Sequence, residues 1–184
     1  LGIVLADVSG HGLDAALMMA VAKKTLQIHA RRSSSPAEVL IAACEDLADD
    51  LPKGSFITVW YGVLNSETGM LRYASAGHNP LILRRNGSNA VSRHSAKGVV
   101  LGSVFLKAMQ EGLEEQLLQL QHGDTVLLYT DGVTEATCPG DEQFGMDRLG
   151  GVVAKAGSDD SAGLVAGVLE ELKGFCAGRV WEDD

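Results

Sequence analysis

The sequence predicts an α+β protein with an antiparallel core, on three observations. Helix-like segments stand near both ends of the chain, and the first of them, Leu13 to Ala30, carries almost no helix breakers. Between them runs a series of short β-branched and aromatic segments. The turns joining those segments are too short for a parallel return, which needs a crossover of about a dozen residues.

The first element is the apolar run Ile3-Val4-Leu5-Ala6, a strand that ends on Asp7. Leu13 to Ala30 is rich in Ala, Leu, Met and Lys and reads as a mostly buried helix. A second helix opens at Ser35-Pro36, with serine as N-cap, proline in the first helical position and Glu38 completing a capping box. Its apolar stripe is Leu40, Cys44, Leu47 and Leu51, and Pro52 ends it. Phe56 to Leu64 and Met70 to Ala74 flank the turn Asn65 to Gly69 as a hairpin. Pro80 to Arg85 is a further strand, followed by the turn signal Asn86-Gly87. Leu113 to Leu120 and Thr125 to Thr130 flank a turn at His122-Gly123-Asp124 and are expected to pair antiparallel. Two helices close the chain, Met146 to Ala156 and Ser158 to Phe175, with Ser158 as the N-cap of the second.

At 184 residues, 46% hydrophobic and 21% charged, the chain suits one folded domain with a substantial core. Its apolar runs are too short to span a membrane, and no basic leader with a cleavage site precedes them. The net charge of −9 opposes nucleic-acid binding, which depends on Lys and Arg meeting phosphates. A site that handles phosphate at this charge needs metal to offset the repulsion. The three cysteines, Cys44, Cys138 and Cys176, make no CxxC pair and read as reduced thiols of a cytoplasmic protein. Leu1 falls inside a strand-like run and the chain stops directly after its closing acids, so it reads as a piece of a longer polypeptide.

The chemistry concentrates where apolar runs end in aspartate. Asp7-Val8-Ser9-Gly10-His11-Gly12 follows the first run, Asp131-Gly132 follows Val126 to Thr130, and Glu182-Asp183-Asp184 closes the chain. Hard divalent cations take carboxylates, backbone carbonyls and water, and a two-metal site gathers several acids from distant sequence. Asp7, Asp131 and Asp183 meet that description together. Singly, an Asp-Gly after a strand is ordinarily a turn, a glycine-rich loop before a helix an N-cap, and a terminal acidic pair a solvated end. No HExxH or paired CxxC points to zinc. His78, in Ala76-Gly77-His78-Asn79-Pro80, reads as structural support for a tight connection, while His29, His94 and His122 read as surface residues without partners. Trp60 and Tyr61 belong to the core.

ADVSGHGLDAALMMA, FITVWYGVLNSETGMLRYASAGHNPLIL, GDTVLLYTDGVTEA with FGMDRL, and the closing EDD together resemble the SpoIIE-like branch of the metal-dependent PPM (type 2C) serine/threonine protein phosphatases. The match runs in order over nearly the whole chain. It implies an α/β/β/α sandwich of two mainly antiparallel sheets flanked by helices, truncated at both ends, because the upstream GGDxxD segment and the last strand have no counterpart here. It implies two Mn or Mg ions, with Asp7 bridging, Val8 giving a backbone carbonyl, and Asp131 and Asp183 binding the second ion. A metal-activated water then attacks phosphorus in line and no phosphoenzyme forms. Gly10, His11, His78 and Asn79 would serve the substrate side; His11 stands further along than the type 2C histidine, so a general-acid role does not transfer to it.

The substrates implied are phosphoserine or phosphothreonine on STAS-domain anti-sigma factor antagonists. An upstream sensor domain is a common companion in the family, and a homodimer is compatible with it. By position, the helices Leu13 to Ala30 and Ser35 to Leu51 correspond to a family element that controls metal coordination. Two other classes compete: a catalytically weak or inactive module that binds a phosphoprotein, and a metal-dependent phosphodiesterase or nuclease, which lacks a basic groove at this charge.

Overall fold

β-Branched and aromatic residues at 57–64 form β2 (Ile57–Leu64), and the first sheet is registered on it. The computed structural model describes every residue except Lys53, Ser103, 157–160 and 180–184. The chain divides into two compact units, Leu1–Asn79 with Ser95–Leu120, and Pro80–His94 with Gln121–Asp184.

In the first unit β1 (Gly2–Val8), β2, β3 (Met70–Ala76) and β6 (Gln116–Gln119) form an antiparallel sheet in the order β1-β2-β3-β6. Residues directly opposite in an antiparallel pair share a face, and neighbours in sequence take opposite faces. Ala6 pairs with Val59 and Val8 with Ile57, and all four join the core under α1 (Leu13–Ala30) and α2 (Pro36–Leu47). The opposite face carries Asp7 against Thr58, and Trp60 stacked on Tyr73 at 5.4 Å between ring centroids. Gly62 is required beneath that indole, because a Cβ there would lie 2.4 Å from the ring. Leu40, Cys44 and Leu47 of the predicted stripe are fully buried in α2, and Ala43 joins them.

Ser35 does cap α2, its hydroxyl accepting from the Glu38 amide at 3.2 Å. The capping box is not completed. Glu38 instead takes the Ser33 hydroxyl at 2.6 Å, and Ser33 Oγ accepts the Ser35 amide at 3.0 Å. The other ligand at this helix end is Glu115, which accepts from the Ser35 hydroxyl and, at 3.0 Å, from the Ala37 amide. α2 stops at Leu47 rather than running to Pro52, and turns carry Leu51 back into the core. α1 has the predicted ends but is not mostly buried: only Ala22 and Leu26 are enclosed, while Leu13 is 74% and Leu17 58% exposed. The polar residues of α1, among them Asp14, Lys23, Lys24 and Gln27, do not gather into one stripe from which its solvent side could be read.

In the second unit β4 (Leu81–Arg84) is the centre of an antiparallel sheet, with β5 (Val91–His94) and β7 (Thr125–Leu127) on either side. Two helices, α5 (Gly145–Lys155) and α6 (Ser161–Cys176), close over a core of Ile82, Tyr129, Phe144, Leu149, Val153, Leu164, Val168 and Leu172. The predicted N-cap Ser158 lies outside the described residues. Beyond the sequence expectations stand β5, the short helix α3 (Leu106–Gly112) and the single turn α4 (Asp131–Thr134). The cysteines are free thiols.

The segments on either side of His122-Gly123-Asp124 do not pair with each other. β6 registers on β3 and β7 on β4, so the chain changes sheets at this turn. The Asp124 carboxylate holds it there, accepting from Arg85 Nη1 at 2.6 Å and from the Asn86 and Gln121 amides at 2.9 Å each. Its side chain is 1% exposed. Burial by itself would raise its pKa; the two amides and the guanidinium outweigh burial and leave the carboxyl below its ordinary value. A depressed folded-state pKa stabilises the protein above the unfolded value, 3.8, and that contribution disappears as pH falls through the lower folded value. Asp124→Ala is expected to cost about 3 kcal/mol in urea unfolding at pH 7, a gap that narrows below pH about 4. Equal midpoints at pH 7 would contradict this account.

Candidate functional site

Asp7 is the penultimate residue of β1, half-buried, on the face opposite the helices. Val8 is buried and closes the strand. The chain then leaves the sheet under control, because the Ser9 amide bonds Phe56 O at 2.9 Å and Ser9 Oγ accepts the Phe56 amide at 2.9 Å. Gly10 (φ +95°) and Gly12 (φ +88°) take backbone conformations that L residues resist, although a Cβ at either would meet nothing within 4 Å. Glycine is thus needed for conformation, not for room. His11 lies exposed between them, and Gly12 opens α1 without a side-chain cap.

Beside Asp7, Thr58 Oγ1 bonds His78 Nδ1 at 2.8 Å. The histidine is itself built in by Ser75, whose buried hydroxyl donates to His78 O at 3.0 Å and accepts the His78 amide at 3.2 Å. Gly77, at φ +69°, carries the chain round this corner, where it bridges Val59. His78 is thus held through its ring and its backbone, and Asn79 follows it half-buried. Thr58 and Ser75 were not legible as site residues: period-2 alternation sets Thr58 apart from Ile57 and Val59, but its position opposite Asp7 depends on register.

Asp131 stands in the second unit as the first residue of α4. Its carbonyl accepts the Glu135 amide at 2.7 Å and the Thr134 hydroxyl at 3.3 Å. Its carboxylate oxygen Oδ1 is buried and finds no hydrogen-bond partner among the described residues. An aspartate in a first helical turn has an ordinary electrostatic rationale, yet leaving a carboxylate oxygen buried and unanswered costs about 1–3 kcal/mol or more. A cation is a ligand that such an atom suits. Asp183, the third predicted acid, lies outside the described residues, and among those described no group of three His, Cys, Asp or Glu side chains is placed to hold an ion.

Two of the other histidines, His29 and His94, depart from the expectation of surface residues without partners. His29 is not a free surface residue, since Nε2 meets Asp46 Oδ2 at 2.7 Å with the ring only 13% exposed. His94 Nε2 meets Ser92 Oγ at 2.8 Å, and burial first, then the Arg85 charge, lowers its pKa. His122 is exposed, and Trp60 and Tyr61 are core residues as expected.

A family profile described as Stage II sporulation protein E (SpoIIE) matches residues 1–184. The phosphoserine phosphatase RsbU of Bacillus subtilis (strain 168) is 33% identical over 136 residues, which is 73% of this chain and 39% of RsbU. The matched stretch thus spans about two-fifths of that relative. Among solved structures, the SiaA-PP2C domain of Pseudomonas aeruginosa superposes with a TM-score of 0.81 at 19% identity, covering 100% of this chain and 72% of that one. The RsbU and RsbW domains of Rv1364c from Mycobacterium tuberculosis give 0.74 at 26%, over 94% and 47%. The catalytic domain of the serine/threonine protein phosphatase PstP, in complex with 2 manganese ions, gives 0.60 at 14%, over 92% and 81%. The SiaA and PstP likenesses carry the fold: the α+β arrangement with two antiparallel sheets is that of PP2C domains.

Thr58→Val is expected to move the His78 ring nitrogen shifts in a ¹⁵N spectrum and to cost about 1 kcal/mol of unfolding free energy. Unchanged shifts would show that the Thr58 bond does not hold the ring.

Proposed function

We propose, starting from the fact that the chain belongs to the SpoIIE family, that it is a metal-dependent protein serine/threonine phosphatase acting as one domain over residues 1–184. Its substrate is phosphoserine or phosphothreonine on a regulatory protein, a STAS-type anti-sigma factor antagonist, in the cytoplasm. The observation that carries the metal part of this reading is the buried, unanswered Oδ1 of Asp131.

Asp7, the Val8 carbonyl, Asp131 and Asp183 are the proposed ligands of two Mn or Mg ions. Such ions, when bound, supply Lewis acidity, lowering the pKa of water and neutralising charge on the phosphoryl oxygens. The chain's own residues bind and orient. The buried Val8 and the Ser9–Phe56 bonds fix the strand end from which Asp7 projects. The Thr58–His78–Ser75 set stiffens the sheet beside it. The exposed loop Gly10-His11-Gly12 and Asn79 are the proposed substrate-side elements. In the reaction the oxygen of water bonds phosphorus as the ester P–O bond breaks, and the departing seryl or threonyl oxygen takes up a proton.

The test is phosphate release from a phosphorylated STAS-domain protein by the natural full-length polypeptide, with Mn, with Mg and with chelator. Activity is expected only with metal. Asp7→Ala and Asp131→Ala are each expected to lower it at least about 100-fold, near 2.7 kcal/mol in barrier, with unchanged circular dichroism. Metal-independent release, or full activity in Asp131→Ala, would overturn the proposal. Metal-free binding of the phosphoprotein without turnover would make the chain a reader instead of an enzyme.

Asp131→Asn separates the ligand role from a fold role. In chelator the variant is expected to be at least as stable as the parent, because an amide donor replaces a carboxylate whose Oδ1 has no hydrogen-bond partner among the described residues, while the rise in Tm on adding Mn is lost. A variant that keeps the full Mn-induced rise would remove Asp131 from the ligand set.

A further inference from the structure

A second polar site lies in the first unit, at the end of β1 remote from Asp7. The last turn of α1, the residues that follow it and the start of β1 border an open pocket of about 580 Å³. Its polar lining is Gln27, Arg31, Arg32, Ser33, Ser34 and the phenol of Tyr61, over Gly2, Ala30 and Val63. No carboxylate is among those lining residues. Gly2 and Asp7 are five residues apart on one strand, about 17 Å at the usual rise, so this pocket is separate from the proposed metal ligands.

The two arginines are unusual in this chain. Arg72, Arg85, Arg93, Arg148 and Arg179 each meet a carboxylate, and Arg84 bonds the Thr125 hydroxyl. Arg31 and Arg32 meet no carboxylate among the described residues, although acids outnumber bases 24 to 15. The ordinary explanation is that cations offset the negative end of α1. That end is worth about half an elementary charge, so two guanidinium groups overshoot it by more than one positive charge. Tyr61 adds a phenol that has no hydrogen-bond partner among the described residues, and the Ser34 hydroxyl and Gln27 amide are likewise uncommitted there. Ser33 is not available as a donor, since its proton goes to Glu38.

We propose that this pocket binds a phosphate group, as inorganic phosphate or as a phosphomonoester, through Arg31 and Arg32 with Tyr61 as a further donor. Guanidinium forks match phosphate oxygens in pairs, and neighbouring neutral donors complete the shell without adding a competing acid. α1 leads from the Gly10-His11-Gly12 loop to this pocket, so an anion held here sits at the far end of the helix that follows the Asp7 strand.

The test is calorimetric titration of the full-length chain in chelator, which keeps divalent ions out of the measurement. The probes are inorganic phosphate and O-phospho-L-serine, with L-serine as the neutral control. Both phosphates are expected to bind and serine not to. Arg31→Ala with Arg32→Ala is expected to weaken binding at least tenfold, and Tyr61→Phe about threefold, with melting temperatures close to the parent's because both arginines are exposed and the ring of Tyr61 is retained. Tighter binding of the ester than of inorganic phosphate would identify a phosphorylated side chain as the ligand, and the reverse order would identify free phosphate. Asp131→Ala is expected to leave all of this unchanged, so loss of the phosphatase reading would not touch it. Absence of binding in the parent, equal binding of serine, or full binding in the double arginine variant would overturn the proposal.

Discussion

The register of β1 on β2 is the constraint from which the rest follows. With a period of two, a slip of one residue would turn Asp7 into the helix-packed core and expose Val8 on the opposite face. Burial prevents it: Val8 with Ile57 and Ala6 with Val59 face the same apolar layer as Leu40, Ala43, Cys44 and Leu47. Desolvating those groups favours one register, and that register alone sets Asp7 opposite Thr58. The polar face is thus positioned by apolar contacts on the other side of the sheet.

A second kind of control acts where the chain changes sheets. The turns around 86 and 122 are short and polar, and their backbone amides need acceptors. Asp124 supplies one carboxylate to two amides and a guanidinium, which commits the following residues to β4 rather than to β6. A hairpin would have been the local solution; a buried charge with three donors replaces it. The same economy appears at α2, where Glu115, remote in sequence, ligates a helix start that a local glutamate was expected to serve.

The two aspartates described are held differently. Asp7 has a strand, a cross-strand threonine and a built-in histidine around it. Asp131 has a one-turn helix and a buried oxygen that no described group answers. In a chain with net charge −9 such an atom is expensive, which is why it supports a cation better than a structural turn. Arg31 and Arg32 present the complementary case, positive charges that no described carboxylate answers.

Local patterns in the sequence determined much of this protein. The ends of α1, the Ser35 cap, the buried stripe of α2, the 57–76 hairpin and the glycines of the Asp7 loop all follow from periodicity, capping and turn chemistry, which act within a few residues. The motifs carrying Asp7 and Asp131 were visible for the same reason. Tertiary structure decided what depends on distant partners: which face of α1 meets solvent, the separation of β6 from β7, the pairing of His29 with Asp46, and the placing of Thr58 beside Asp7. Each is settled by pairing register or by burial against residues remote along the chain, and neither quantity is written in any short stretch of sequence.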